Sequence, residues 1–118
     1  MLESGFESQK NNNLDLNISG EMTWMSVEKI METKTDELNH FVSNLGTSLT
    51  SSQIQIIIDL SKVTKVDMCA LALLIEIEKK IKTLSKKGIS FKLTWLNVPH
   101  NLISLSSLCG LNKELGLN

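Results

Sequence analysis

The stretch IQIIIDLSKVTKVDMCALALL, residues 54–74, decides the fold. Residues 54–60 are β-branched and nearly all apolar, which is typical of a central parallel strand that is buried on both faces. After a short connection over residues 61–66, apolar residues recur at helical spacing from Leu71 to Leu84, with lysines on the opposite side. The stretch therefore predicts a buried strand that leads directly into an amphipathic helix.

Further elements flank this strand and helix on both sides. Upstream, the pattern predicts a hairpin of strands over residues 5–10 and 14–19, then an amphipathic helix over residues 24–45. Downstream it predicts a strand over residues 89–96 and, beyond Pro99, a third helix over residues 102–108. The order β-β-α-β-α-β-α predicts one α/β domain over residues 1–118, a sandwich in which helices cover a mixed β-sheet.

The composition excludes several classes of function. The net charge is -1 and all 12 basic residues are lysines, so the arginine forks that read phosphates and guanine edges are absent, and we expect no nucleic-acid binding. The longest apolar run covers residues 68–75, far short of the ~20 residues that cross a bilayer. We therefore expect no direct membrane insertion, and a cytoplasmic protein that reaches a membrane only through a partner.

The cysteines and histidines give no metal-binding pattern. Cys69 and Cys109 lack C-x-x-C spacing, and His40 and His100 are far apart in the sequence. We predict no metal site and no cofactor, with both thiols reduced and packed and both histidines at the surface. A redox-sensing role for Cys69 stays open as a weaker alternative, because a thiol in the first turn of a helix feels the positive end of the helix dipole.

Asp59 and Asp67 are the acids that lie near strand ends. Asp67 directly precedes a predicted helix, where aspartate is a favoured N-cap, and Val66 and Leu71 are placed to form the accompanying hydrophobic staple. We therefore interpret Asp67 as a cap rather than as a catalytic acid. Asp59 is interpreted as a surface turn residue, with a ligand role as the alternative. No glycine-rich phosphate loop is present, and we expect no catalysis.

The order of several short motifs resembles the STAS domain family. These are residues 14–21 (LDLNISGE), the strand end with its acid at 57–67 (IIDLSKVTKVD), residues 71–74 (LALL) and residues 108–111 (LCGL). The resemblance extends over almost the whole chain and implies a STAS-like α/β fold with a protein-binding role.

Two branches of that family compete. Antagonists of anti-sigma factors carry a phosphorylatable serine directly after the acid, where this chain has Met68, so the resemblance implies no phosphorylation site here. The standalone STAS subunits of phospholipid-trafficking ABC transporters, the MlaB type, are more similar. That branch implies a subunit that binds the cytoplasmic ATPase and, through it, an inner-membrane permease, and that supports outer-membrane lipid asymmetry. A regulator like the anti-sigma-factor antagonists is the alternative, and a homodimer also stays open.

The resemblance places the partner contact at the start of the second helix. Met68 is its centre, because a flexible thioether adapts to an apolar partner groove; the alternative is that Met68 covers the sheet edge with no partner. Trp24 is interpreted first as a core residue and otherwise as part of this contact. The full predicted contact set is Met68, Cys69, Leu71, Ala72, Asp67, Lys65, Thr23 and Trp24.

Overall fold

Three parallel strands form the sheet of the computed structural model, which describes residues 13–44, 53–84 and 90–117. In chain order the elements are β1 (Leu14–Met22), α1 (Val27–Ser43), β2 (Gln53–Val66), α2 (Met68–Leu84), β3 (Ser90–Leu96), α3 (His100–Leu108) and α4 (Asn112–Leu115). The sheet order is β1-β2-β3, so the long strand β2 is central. The predicted α/β fold is confirmed.

The predicted mixed sheet included an antiparallel hairpin, which is not found among the described strands. The described strands all pair in parallel, and the hairpin strand predicted over residues 5–10 lies outside the described residues. The turns predicted around Gly46 and Gly88 also lie outside them. The four-residue helix α4 was not predicted, although it contributes the buried Leu115 to the core.

Strand β2 extends further than the sequence predicted. Residues 61–66, expected to be a connection, continue the strand and pair with β1 up to Met22 opposite Val66. The pairing with β3 ends earlier, at Asp59 opposite Leu96. The register with β1 shifts twice, each time by one extra residue on β2, as at a β-bulge, and the pairing resumes beyond each shift. The carboxyl ends of β1 and β2 therefore lie side by side.

The core lies between the sheet and helix α2. Alternate residues of β2 (Ile54, Ile56, Ile58 and Leu60) are buried, whereas Gln55, Ile57 and Asp59 on the other face are only half-buried. The prediction that β2 is buried on both faces is therefore wrong for these residues. Right-handed parallel crossovers place α1 and α2 on the same face of the sheet, where the two helices contact each other. The core side of α2 is as predicted, with Leu71, Leu74, Ile77 and Ile81 buried.

Candidate functional site

Asp67 connects the first two strand-to-helix junctions. Its Oδ1 accepts a hydrogen bond of 2.8 Å from the backbone N–H of Cys69, which confirms the predicted N-cap of α2. Its Oδ2 accepts a second bond, of 3.0 Å, from the backbone N–H of Trp24. The backbone N–H of Asp67 donates in turn to the carbonyl of Met22 at 3.3 Å. One side chain therefore caps α2 and also holds the turn between β1 and α1 against it.

The turn between β1 and α1 is also held from within. The Ser26 hydroxyl accepts a bond of 3.0 Å from the backbone N–H of Thr23 and donates one of 2.7 Å to the carbonyl of Glu21. The carbonyl of Thr23 accepts from the N–H groups of Ser26 and Val27 at 2.9 and 3.0 Å. These bonds fix the backbone of the turn, so the side chains at its tip have a defined direction.

Three large apolar side chains are exposed at this end of the sheet. Trp24 is 71% exposed, Met25 74% and Met68 52%, and we name these three residues the Met68 patch. They lie close together because Asp67, next to Met68, is bonded to Trp24. A cluster of exposed apolar side chains is typical of a protein-binding surface, in which methionine and tryptophan are enriched.

The structure divides the predicted contact set. Met68, Ala72, Lys65 and Trp24 are exposed, and Cys69 and Asp67 are half-buried. Leu71 and Thr23 are buried, so they support the surface from below and offer it no area of their own. For Leu71 the reason is helical spacing, since it shares a face with Leu74.

The interpretation of Trp24 as a core residue is wrong. Helix α1 begins at Val27, three residues later than predicted, so Trp24 lies in the turn and points away from the helix packing face. Its neighbour Met25 was missed altogether. The signal that could have found it is the pair of adjacent large apolar residues, Trp24 and Met25, directly before Ser26 in the turn.

A groove of about 550 Å³ runs between α1 and α2 beside the Met68 patch. Its apolar lining consists of Val27, Met31, Cys69, Ala72 and Leu73, and its charged lining of Glu28, Glu32 and Glu76. We name it the α1–α2 groove. Two residues of the predicted contact set, Cys69 and Ala72, therefore face a concave apolar surface rather than a flat one.

Asp59 has a partner that the sequence did not reveal. Its Oδ1 accepts hydrogen bonds from the Asn97 side chain at 3.0 Å and from the backbone N–H of Ser61 at 2.8 Å. The bond from Asn97, followed by that from Ser61, lowers the pKa of Asp59 below its ordinary value. Asn97 has a left-handed φ of 54° at the end of β3, a conformation that asparagine tolerates. Asp59 thus ties the middle of β2 to the end of β3. Its interpretation as a surface turn residue is wrong, because β2 continues to Val66 and Asp59 pairs within it with Asn17 and Leu96.

Glu78 is the second acid with a changed environment. Partial burial raises the pKa of its carboxyl, and the indole N–H of Trp95, which donates to Oε2 at 3.2 Å, partly opposes that shift. Glu78 lies on the side of α2 that meets β3, and Cys69 and Ala72 of the groove lie elsewhere on that helix. The bond to Trp95 gives Glu78 a structural role.

The cysteines and histidines do not assemble into a reactive centre. Cys109 is exposed, which corrects the prediction that it is packed, because α3 ends at Leu108 and Cys109 follows in the turn. His40 and His100 are exposed, as predicted. Within residues 13–44, 53–84 and 90–117, no three His, Cys, Asp or Glu side chains are grouped as metal ligands would be. The same three ranges contain no helix with the length and apolarity that a membrane span requires.

Comparisons with known proteins bear on the family. A solved structure titled "Crystal Structure Analysis of Mglu" is 14% identical, with a TM-score of 0.41; the similarity covers 77% of this chain and 18% of that one. The chain thus corresponds to less than a fifth of the length of that protein. No curated protein sequence matches the chain significantly. The family model for the STAS domain matches residues 7–117. Because this match spans nearly the whole sequence, the chain belongs to the STAS domain family.

Proposed function

We propose that the protein is a non-catalytic STAS subunit that docks on the cytoplasmic ATPase of an ABC-type phospholipid transport system. STAS domains in general are interaction or regulatory modules. The transport role is the one that the resemblance to the standalone subunits implies. In it, the protein would support an inner-membrane complex that maintains outer-membrane lipid asymmetry, and it would be peripheral to that membrane through its partner.

The single observation that carries this proposal is the exposure of the Met68 patch. Met68 is the first residue of α2, where the resemblance places the partner contact, and its side chain is 52% exposed. Trp24 and Met25 enlarge the same apolar surface, and the bond from the backbone N–H of Trp24 to Asp67 holds the backbone of the turn that carries them. A turn whose backbone is already fixed loses less conformational entropy on docking.

The test is co-purification of the full chain with the cytoplasmic ATPase of a phospholipid-transport ABC system from the same organism. Met68→Glu and Trp24→Glu place a charge in the proposed contact without touching the core, and each is expected to reduce capture of the ATPase by tenfold or more, since desolvating an unpaired charge costs ~2 kcal/mol or above. The matched control is Leu108→Glu, which changes a residue of α3 that is 85% exposed. Unchanged capture by folded Met68→Glu and Trp24→Glu proteins would refute the docking surface.

A regulator like the anti-sigma-factor antagonists is the second candidate. It is supported by the exposure of residue 68 at the start of α2, which is the place where the resemblance puts the switch serine of such proteins. Here that residue is methionine, so this regulator would act without phosphorylation at that position. Neighbouring genes for an ATPase, a permease and a lipid-binding protein favour the transport role; a neighbouring kinase or sigma factor favours the second candidate.

A further inference from the structure

The α1–α2 groove differs in chemistry from the Met68 patch. Its lining holds three carboxylates, Glu28, Glu32 and Glu76, and none of the eight residues that line it is a lysine. The apolar residues come from both helices, Val27 and Met31 from α1 and Cys69, Ala72 and Leu73 from α2. The groove is therefore an apolar channel with a negatively charged border.

Among the described residues, no lysine forms a strong ion pair with the glutamates that border the groove. Lys79 approaches Glu76 at 3.7 Å, but the two side chains are 69% and 58% exposed. Exposed pairs at that separation contribute little. Glu28 and Glu32 are exposed on successive turns of α1. A ligand with positive charge at its edges would therefore meet complementary charge on both sides of the groove.

We propose that the α1–α2 groove binds an amphipathic helix of a protein partner whose apolar stripe is bordered by lysine or arginine. Lining residues extend over positions 27–32 of α1 and 69–76 of α2, about two helical turns on the latter. That length accommodates apolar anchors at i, i+3 or i+4, and i+7 of a bound helix. The acidic border selects against an acidic helix and against an anionic lipid surface.

The inference rests on the proposed docking function, because the groove adjoins the Met68 patch. Cys69 directly follows Met68, and Val27 comes two residues after Met25. A partner that covers the patch can continue into the groove. The segment that such a partner inserts is helical, apolar along one stripe and basic beside it.

The test uses two designed helical peptides that share a leucine stripe, one with lysines beside it and one with glutamates. Each is titrated into the full-length protein at low salt, with backbone amide shifts recorded by NMR. We expect saturable shifts at Cys69, Ala72 and Val27 with the lysine peptide and none with the glutamate peptide. Raising the ionic strength is expected to weaken the binding.

Variants that remove the glutamate charges of the groove test whether the lysine peptide binds there. The triple variant Glu28→Gln, Glu32→Gln, Glu76→Gln is expected to bind the lysine peptide roughly tenfold more weakly, because each exposed ion pair contributes at most a few-fold. The matched control removes the same charge away from the groove: Asp15→Asn, Glu37→Gln, Glu114→Gln. It is expected to leave the affinity within about twofold, since separated surface charges are screened by salt.

Several results would overturn the inference: equal binding of both peptides, shifts that map outside the groove, equal weakening by the control triple, or groove-centred binding of phosphatidylglycerol vesicles. The peptides require no ATPase, so the two proposals fail separately. If the protein fails to capture the ATPase but binds the lysine peptide, the transport role alone is refuted. Intact ATPase capture without peptide binding would refute the groove alone.

Discussion

The carboxylate of Asp67 binds the backbone of Trp24 across a separation of 43 residues, with a distance of 3.0 Å between Oδ2 and the amide nitrogen. The other oxygen of the same group caps α2 through Cys69 at 2.8 Å. The backbone position of an exposed tryptophan is thus coupled to the start of a helix elsewhere in the chain. A residue that looks like an ordinary cap therefore also shapes the proposed docking surface.

Replacement of Asp67 by alanine removes the cap and the bond to Trp24 together. We expect the free energy of unfolding to fall by about 1–2 kcal/mol, the usual contribution of an N-cap together with a backbone hydrogen bond. Urea denaturation followed by circular dichroism measures it. Asp67→Asn is the matched variant, because asparagine caps well and keeps one acceptor oxygen, so it should lose less. Equal stability of Asp67→Ala and the wild type would show that neither bond matters.

Removal of the Asn97 side chain is expected to raise the pKa of Asp59 toward its ordinary value of 3.8. Asn97→Gly is the suitable change, because glycine accepts the left-handed φ of 54° without strain while losing the amide donor. The bond from Ser61 remains, so the return is incomplete. NMR titration of the carboxylate carbon measures the shift, with Asp36 in the same spectra as the internal control.

The sign of the corresponding stability effect follows from that direction. A carboxyl whose pKa is lower in the folded state stabilises the fold above its unfolded pKa, and this contribution disappears as the pH falls through the folded pKa. Asn97→Gly should therefore reduce the loss of stability that occurs on acidification below the ordinary pKa of aspartate. An unchanged titration of Asp59 in Asn97→Gly would contradict the role given to the amide.

Glu78 gives a pH dependence of the opposite sign. Because burial raises its pKa above the ordinary 4.5, the folded state binds the proton more tightly than the unfolded state does. Ionisation of Glu78 therefore lowers the free energy of unfolding as the pH rises from the ordinary to the raised pKa. Glu78→Gln removes the charge but keeps an oxygen that can accept from Trp95, so its stability relative to the wild type should increase as the pH rises from the ordinary to the raised pKa.

Urea unfolding at several pH values between those limits tests this prediction. The matched control is Glu76→Gln, which removes the same charge from an exposed position on the same helix. A difference between Glu78→Gln and the wild type that stays constant with pH would contradict the proposed effect of burial.

Local patterns were enough to predict most of the fold. The apolar spacing of α2 placed Leu71, Leu74 and Ile77 in the core, and the position of Asp67 before that helix predicted its cap. Both depend on neighbours within a few residues, which the sequence displays directly. Residues 61–66 were mistaken for a connection because their pairing with β1 depends on register shifts that leave no periodic signal.

The candidate site was harder to predict because it is assembled from distant segments. Met68 was identified, but the bond between Asp67 and Trp24 joins residues whose proximity follows only from the parallel pairing of β1 with β2. The same holds for Asn97 and Asp59, which meet where β3 ends beside the middle of β2. Acids on α1 and α2 border one groove only because the two crossovers lie on the same face of the sheet.

The two cysteines should differ in reactivity in the native protein. Cys109 is exposed after α3, whereas Cys69 is half-buried, and its side chain lines the α1–α2 groove. A thiol reagent should therefore modify Cys109 several-fold faster than Cys69, and the two rates should converge in urea, where access is equal. Mass spectrometry of Cys69→Ser and Cys109→Ser proteins assigns each rate, and the lysine peptide should slow Cys69 alone if it occupies the groove. Faster reaction at Cys69 than at Cys109 would instead favour a redox-sensing role, since access alone could not produce that order.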